Sequence, residues 1–417
     1  MKTSDEVLIV GGGIIGVCSA YFLARKGRQV TLVEQGDIGS GCSYGNAGLI
    51  VPSHSIPLAA PGVLSQGMKW LLDAESPFYI KPRLNSALIS WLWQFRAYCK
   101  EEPMRKALPL LRDMQRESLA LYDEIVKRER LTCDFEQSGN LALFKTQPGF
   151  RAGLHEARLL QEFGLLLEIL DAAAVRDQEP AVHPDIAGGI YFQEDARLDP
   201  ALFVQNLAQK SRDCGAKLDT KTRVLGFTVK GRRISEVKTT RGDYSPDQVV
   251  LAAGAWSPEA VRDLRLRLPI QPAKGYSITV KRPDKCPRTP LMLGEAKVGV
   301  TPLKSALRFA GTLELAGFDM TINQRRVNAI WRAAADYLAE PGEMEVIEIW
   351  RGLRPCTPDG LPLLGRSRTV DNLIVATGHA MLGVSLGPIT GALVAQIVDG
   401  KPPTMDLSAL KVERFGG

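Results

Sequence analysis

The sequence is poor in the features that mark several large protein classes. Its seven cysteines (Cys18, Cys42, Cys99, Cys133, Cys214, Cys286 and Cys356) are scattered and form no CxxC pair. An odd count at such spacing argues against a secreted disulfide framework. The four histidines, His54, His155, His183 and His379, lie far apart, so no zinc or iron site is expected. Basic residues exceed acidic ones by 52 − 46 = 6 without any block of like charge, which gives little support to nucleic-acid binding. No apolar run reaches the roughly 18 residues that a spanning helix needs. The opening MKTSDEVLIVGGG enters a strand almost directly, with no basic leader and no cleavage site, and a cytoplasmic protein is expected. What remains is ordinary globular composition, 45% hydrophobic and 24% charged over 417 residues, enough for two or three domains.

The strongest signal is VLIVGGGIIGVCSAYFLARKGRQVTLVEQ. Val7 to Val10 form an apolar run suited to a buried parallel strand. Gly11, Gly13 and Gly16 follow in G-x-G-x-x-G spacing. The first permits a tight turn, the second lets backbone approach a pyrophosphate, and the third lets the next helix pack against the strand. The helix is expected to stop at Gly27, and a second strand, Gln29 to Val33, to deliver Glu34, whose carboxylate would accept from a ribose 2′-hydroxyl. A dinucleotide site is therefore expected.

The motif alone does not choose between FAD and NAD. The following QGDIGSGCSYGNAGLIVP is rich in Gly, Ser and Asn, a composition that offers backbone N–H groups and small hydroxyls to an extended cofactor. A second glycine unit comes late, in NLIVATGHAMLGVSLGPITGALVAQIV, with Gly378, Gly383 and Gly387 between a strand and a helix. Two glycine-loop units converging on one ligand suit FAD better.

With these pieces the chain resembles the D-amino acid oxidase-like FAD oxidoreductase superfamily, and within it most closely the small subunit of bacterial D-amino acid dehydrogenases. The resemblance rests on VGGGIIGVCSAYFLARKGRQVTLVEQ, CSYGNAGLIVPSH, SGNLALF, LDPALFVQNLA, VVLAAGAWSP, KGYSITV, RFAGTLEL, WRGLRPCTPDGLPLLG and TGHAMLGVSLGPITG, in family order over nearly the whole chain. It implies a mixed α/β fold: a Rossmann-like FAD-binding domain carrying an inserted, discontinuous substrate domain of antiparallel sheet and helices. The FAD-binding parts would be 1–88, 178–257 and 355–417, and the substrate parts 89–177 and 258–354. The implied cofactor set adds Ile14, Ile15, Gln35, Gly41, Ser43, Asn46, Ala47, Gly48, Val224, Ala253, Gly254, Trp256, Leu382 and Val384 to Gly11, Gly13, Gly16, Glu34, Gly378 and Gly383. Sarcosine oxidases of this superfamily tether FAD through a cysteine, whose place is taken here by Gly352; noncovalent FAD is expected. The dehydrogenases read GHG-x-LGW where this chain has Gly378-His379-Ala380-Met381-Leu382-Gly383-Val384, which leaves substrate choice open.

Oxidising an amino acid requires a hydride acceptor, a grip on the carboxylate, and a Cα–H aimed at flavin N5. Arg354, braced by Pro355 and Pro358 in RPCTPDG, is the expected grip, because a guanidinium matches a carboxylate bidentately. Tyr276 in KGYSI is a candidate to hydrogen-bond carboxylate or amine, Arg308 a candidate second carboxylate contact, and His379 a candidate to tune the flavin or touch substrate. For each of these three, an ordinary packing role is the competing reading. Three functions are carried forward: an FAD-dependent D-amino acid dehydrogenase yielding 2-oxo acid and ammonia; a dehydrogenase or oxidase of cis-4-hydroxy-D-proline or N-substituted amino acids; and a flavin-binding electron-transfer subunit without turnover. Electrons would pass to a quinone or a partner subunit, in a homo- or hetero-oligomer. The tryptophan-bearing stretch over 56–97 is either a peripheral patch for the inner face of the cell membrane or a buried cap.

Overall fold

The computed structural model describes residues 6–71, 76–339 and 344–416, and two sheets organise them. The first has six strands in the order Leu363–Arg366, Leu373–Thr377, Gln248–Leu251, Glu6–Val10, Gln29–Val33 and Lys217–Asp219. All neighbours run parallel except the Leu363–Arg366 edge. Helices cover one face and a hairpin, Val224–Lys230 with Arg233–Thr239, packs on the other. Leu8, Ile9 and Leu32 are fully buried, which is why these strands read as continuous apolar runs rather than alternations.

Small residues let the covering helices approach closely. A side chain at Gly391, in helix Gly387–Val398, would come within 2.6 Å of the Cys18 backbone in helix Ile14–Arg25. Such a contact admits only hydrogen, and it brings the two glycine-loop helices together over one face of the sheet.

The second sheet is mostly antiparallel, in the order Val346–Cys356, Gln271–Lys281, Ala306–Leu315, Val298–Pro302, Leu291–Leu293, Asn140–Phe144, Gly188–Phe192 and Leu167–Asp171, with Phe78–Ile80 pairing alongside Ala306–Leu315. Helix Gln324–Tyr337 buries Val327, Ile330 and Ala334 against one face of it. The other face is turned toward the glycine loops.

Packing departs from the sequence-based boundaries in three places. Strand Gly188–Phe192, expected in the cofactor unit, pairs within the second sheet, and so does Phe78–Ile80. Helix Glu101–Glu129, expected in the substrate unit, lays Leu111, Met114, Tyr122 and Ile125 into the core of the first sheet. The Tyr122 hydroxyl donates to the carbonyl of Val384 at 2.6 Å. Helical periodicity reveals an apolar stripe but not which sheet receives it.

Candidate active site

The turn after strand Glu6–Val10 carries the strictest geometry in the molecule. Gly11 has φ +112°, and a Cβ there would lie 2.5 Å from the Ala252 carbonyl oxygen. A Cβ on Gly16 would lie 1.9 Å from the Gly11 oxygen. Gly13 differs, for its nearest neighbour is the Ser43 hydroxyl at 3.4 Å. Protein packing therefore demands glycine at 11 and 16, whereas at 13 the open side is a cavity. The Ser43 hydroxyl accepts from the backbone N–H of Ile14 at 3.0 Å, holding the following loop against the helix start.

That cavity measures about 720 Å³ and runs between the two sheets. Gly11, Gly13, Ile14, Ile15, Glu34, Gln35, Gly41, Ser43 and Asn46 line it on one side. Val224, Ala253, Gly254 and Trp256 line a second wall, and His379, Gly383 and Val384 a third. Glu34 accepts from the backbone N–H groups of Gly12 and Gly36, both at 2.7 Å. A carboxylate offers about four acceptor directions, so it keeps capacity for a ribose hydroxyl. Cradle, helix N-terminus and acid together fit a dinucleotide cofactor.

Five expected cofactor residues do not line the cavity. Gly16 is spent on helix packing. Gly48 (φ +76°) and Gly378 (φ +80°) are turn residues whose missing Cβ makes room for the Leu198 oxygen and the Thr357 methyl. Leu382 belongs to the core, and Ala47 packs partly buried against it. Outside the expected set, Cys42, Thr222, Arg223 and Met320 also line it. Thr222 and Arg223 adjoin Val224, so adjacency was the available signal.

The catalytic candidates separate by sheet face. Strand pairing sets Ala273 opposite Arg354, Gly275 opposite Gly352 and Ser277 opposite Trp350, and directly opposed residues share a face. This face looks onto the loop Gly41–Gly48. The Arg354 guanidinium lies over Gly275, whose added Cβ would meet Nη1 at 2.0 Å, and the Trp350 indole lies over Gly352 and Gly45, whose added Cβ atoms would meet it at 2.0 and 2.2 Å. Glycines at 275 and 352 thus form a shallow dish in which fork and indole rest side by side. Arg354 Nη1 donates to the Thr312 carbonyl at 2.7 Å. Among the described residues no carboxylate lies within ion-pair distance of it, and Nε and Nη2 are left available. Burial pushes the Cys42 thiol up while the Arg354 charge pulls it partly back, which places the fork beside a residue of the cavity wall.

Thr312 is held at φ +62°, where the pairing of Ala306–Leu315 with its neighbour slips. A β-branched residue in this region carries strain of about 1–3 kcal/mol. The strain aims its carbonyl at Arg354. The Thr312 and Ser277 hydroxyls are buried without hydrogen-bond partners.

Tyr276 points the other way. It pairs with Arg351, is 1% exposed, and its hydroxyl contacts both Glu314 oxygens at 3.2 Å and accepts from the Asn323 N–H. Glu314 in turn pairs with Lys274 and Arg326. This buried network, with Lys274 donating to the Thr321 carbonyl, anchors the loop that carries Met320 to the cavity. Tyr276 therefore supports a loop and does not face Arg354.

Arg308 shares the face of Arg354 but pairs with Thr279, four residues along from the Gly275 that the Arg354 fork covers, a separation of about 13 Å. One amino acid carboxylate cannot span both. Its Nη1 donates instead to the carbonyls of Asn46 (2.9 Å) and Tyr44 (3.4 Å) and its Nε to the Thr279 hydroxyl. His379 is buried, bonded through Nε2 to Thr390 at 3.0 Å, and burial lowers its pKa to about 3, so it is a neutral wall residue.

Comparison with known proteins agrees with this architecture. Residues 6–397 match the family model described as FAD dependent oxidoreductase. The chain is 32% identical to a D-amino acid dehydrogenase of Vibrio atlanticus (strain LGP32), covering 98% of this chain and 100% of that one. It is 35% identical to a D-amino acid dehydrogenase of Methylobacterium nodulans, covering 98% and 99%. Among solved structures, glycine oxidase from Geobacillus kaustophilus superposes with TM-score 0.79 at 25% identity over 99% of both chains. L-proline dehydrogenase from P. horikoshii superposes with TM-score 0.76 at 19% identity over 100% and 98%, a likeness of fold.

Proposed function

The chain belongs to the FAD dependent oxidoreductase family, and on that premise we propose that it is a dehydrogenase oxidising D-amino acids at Cα. The observation that carries this reading is Arg354: a half-buried guanidinium with no acidic partner among the described residues, held by the Thr312 carbonyl over Gly275 and set between Leu353 and Pro355, which line the cofactor cavity. Bound FAD supplies the hydride acceptor. Arg354 grips the substrate carboxylate through Nε and Nη2, and the Trp350 indole closes the neighbouring side. Fixing the carboxylate restricts where Cα–H can point, which is the orientational part of the rate enhancement. Among the described residues no carboxylate or imidazole bonds the fork, so the amine gives its proton to solvent before hydride leaves. The resulting imino acid is hydrolysed by water to 2-oxo acid and ammonia.

Cyclic secondary amines are the second reading. Ala380 and Val384 replace the expected glycine and tryptophan of the dehydrogenase pattern, and both line the cavity. Anaerobic mixing with an amino acid panel decides: bleaching of the oxidised flavin band by D-alanine supports the first reading. Bleaching by proline derivatives alone selects the second, and a flavin that no amine bleaches removes both.

The route of the electrons out is proposed from the surface over 63–70 and 76–98. Trp91 is 3% exposed and donates to the Cys356 carbonyl, whereas Trp93 is 72% exposed, with Ile89, Leu84, Met68 and Leu64 also exposed. The stretch is thus a cap on its inner side and an apolar patch on its outer side. Arg83, Arg96 and Lys100 adjoin it in sequence without an acidic residue between them, a pattern suited to an anionic lipid surface, while Lys81 is paired with Asp319. No helix among the described residues is long and apolar enough to cross a membrane. We expect the protein to co-sediment with vesicles containing anionic phospholipid, and Ile89→Asp with Trp93→Asp to release it. Equal sedimentation of the double variant, or none of the wild type, refutes a membrane contact here.

A further inference from the structure

Arg308 is 6% exposed, and among the described residues no carboxylate lies within ion-pair distance of it. Asp199 and Glu348 act on it only from farther away. Asp199 is moreover occupied in capping helix Pro200–Asp213 through the N–H groups of Ala201 and Leu202. An isolated buried charge is expensive, and hydrogen bonds to two carbonyls and a hydroxyl compensate it only in part. Those carbonyls belong to Tyr44 and Asn46, in the loop whose Cys42, Ser43 and Asn46 line the cofactor cavity. The charge therefore stands directly behind the wall of the flavin site and about 13 Å along the sheet from the carboxylate fork.

We propose that Arg308 is a positioning residue for the flavin: it fixes the loop at Tyr44 and Asn46, and its uncompensated charge favours the reduced, more negative state of the bound ring. Reduction by hydride adds two electrons and one proton, leaving the ring one charge more negative than before. A cation behind the loop stabilises that state relative to the oxidised one. At separations near 10 Å and an effective dielectric constant of about 20, a unit charge shifts such an equilibrium about tenfold.

The test compares Arg308→Gln, which loses the charge and keeps a shorter neutral amide donor, with Arg308→Lys, which keeps the charge. Reduction potentials are measured against dyes, and sulfite is used as a probe because it adds to oxidised flavin to give an anionic adduct. Arg308→Gln is expected to disfavour reduction about tenfold, about 30 mV for a two-electron couple, and to weaken sulfite addition by a similar factor. Arg308→Lys is expected to stay within threefold of the wild type. Should Arg308→Gln fail to retain FAD, Arg308→Met titrated in excess FAD carries the same comparison. Unchanged potential and sulfite affinity in the uncharged variant, or an equal shift in Arg308→Lys, overturn the proposal. Neither measurement uses an amino acid, so this outcome is independent of the substrate reading.

Discussion

Replacing Arg354 by methionine is expected to lower kcat/KM for amino acids by about 10²- to 10³-fold while FAD stays bound. Two charge-assisted hydrogen bonds to a carboxylate contribute about 3–4 kcal/mol together, and every 1.4 kcal/mol is a factor of ten. Arg354→Lys keeps the charge but not the planar fork, so an intermediate loss of about tenfold or more is expected. The companion variant is Gly275→Ala. Its new Cβ would fall 2.0 Å from Arg354 Nη1, which drives the fork out of its dish without touching substrate. If Gly275 acts only through Arg354, the double variant is no worse than Arg354→Met alone, a failure of additivity diagnostic of one shared function. Additive losses would show that Gly275 does something else, and an Arg354→Met enzyme of wild-type efficiency would remove the carboxylate grip altogether.

The second large effect separates folding from cofactor binding within one motif. Gly16→Ala pushes a methyl to within 1.9 Å of the Gly11 oxygen, a backbone contact that cannot relax without moving the helix off the strand. We expect a colourless, destabilised protein, with a loss of about 1–3 kcal/mol or more from overpacking. Gly13→Ala meets only the Ser43 hydroxyl at 3.4 Å and has an ordinary φ of −74°. Its apoprotein should be as stable as the wild type within about 1 kcal/mol, yet bind FAD at least about tenfold more weakly, because the methyl enters the space of the ligand. Thermal unfolding of both apoproteins, with fluorescence titration of FAD, checks the contrast. Equal effects of the two substitutions would mean that the turn binds nothing.

Motifs whose meaning is carried within a few residues were legible without coordinates. The glycine turn, the strand before it, the helix after it and Glu34 at the next strand end all stand where spacing places them. The same holds for the late strand and helix around Gly378 to Gly387 and for the proline-braced turn after Arg354. Trp350 was within reach, since a period of two sets 350, 352 and 354 on one face, although nothing local marks that face as the one turned to a cofactor.

What the chain alone left undecided was where side chains of the inner sheet point relative to one another. Tyr276 and Arg354 lie on strands paired across a separation of 78 positions, and a shift of one residue in that pairing would have put both on the same side. Register of this kind is set by contacts between distant segments, so Tyr276 went to a buried Glu314 network and Arg308 to the back of the flavin loop. Helix Glu101–Glu129 shows the same division: its apolar stripe was visible as a pattern, but the choice of which core would bury it belonged to the assembled fold. Sequence determined the local chemistry of the cofactor turn and of the anion fork; tertiary packing decided which other polar groups share their space, because proximity across sheets is not encoded in neighbouring residues.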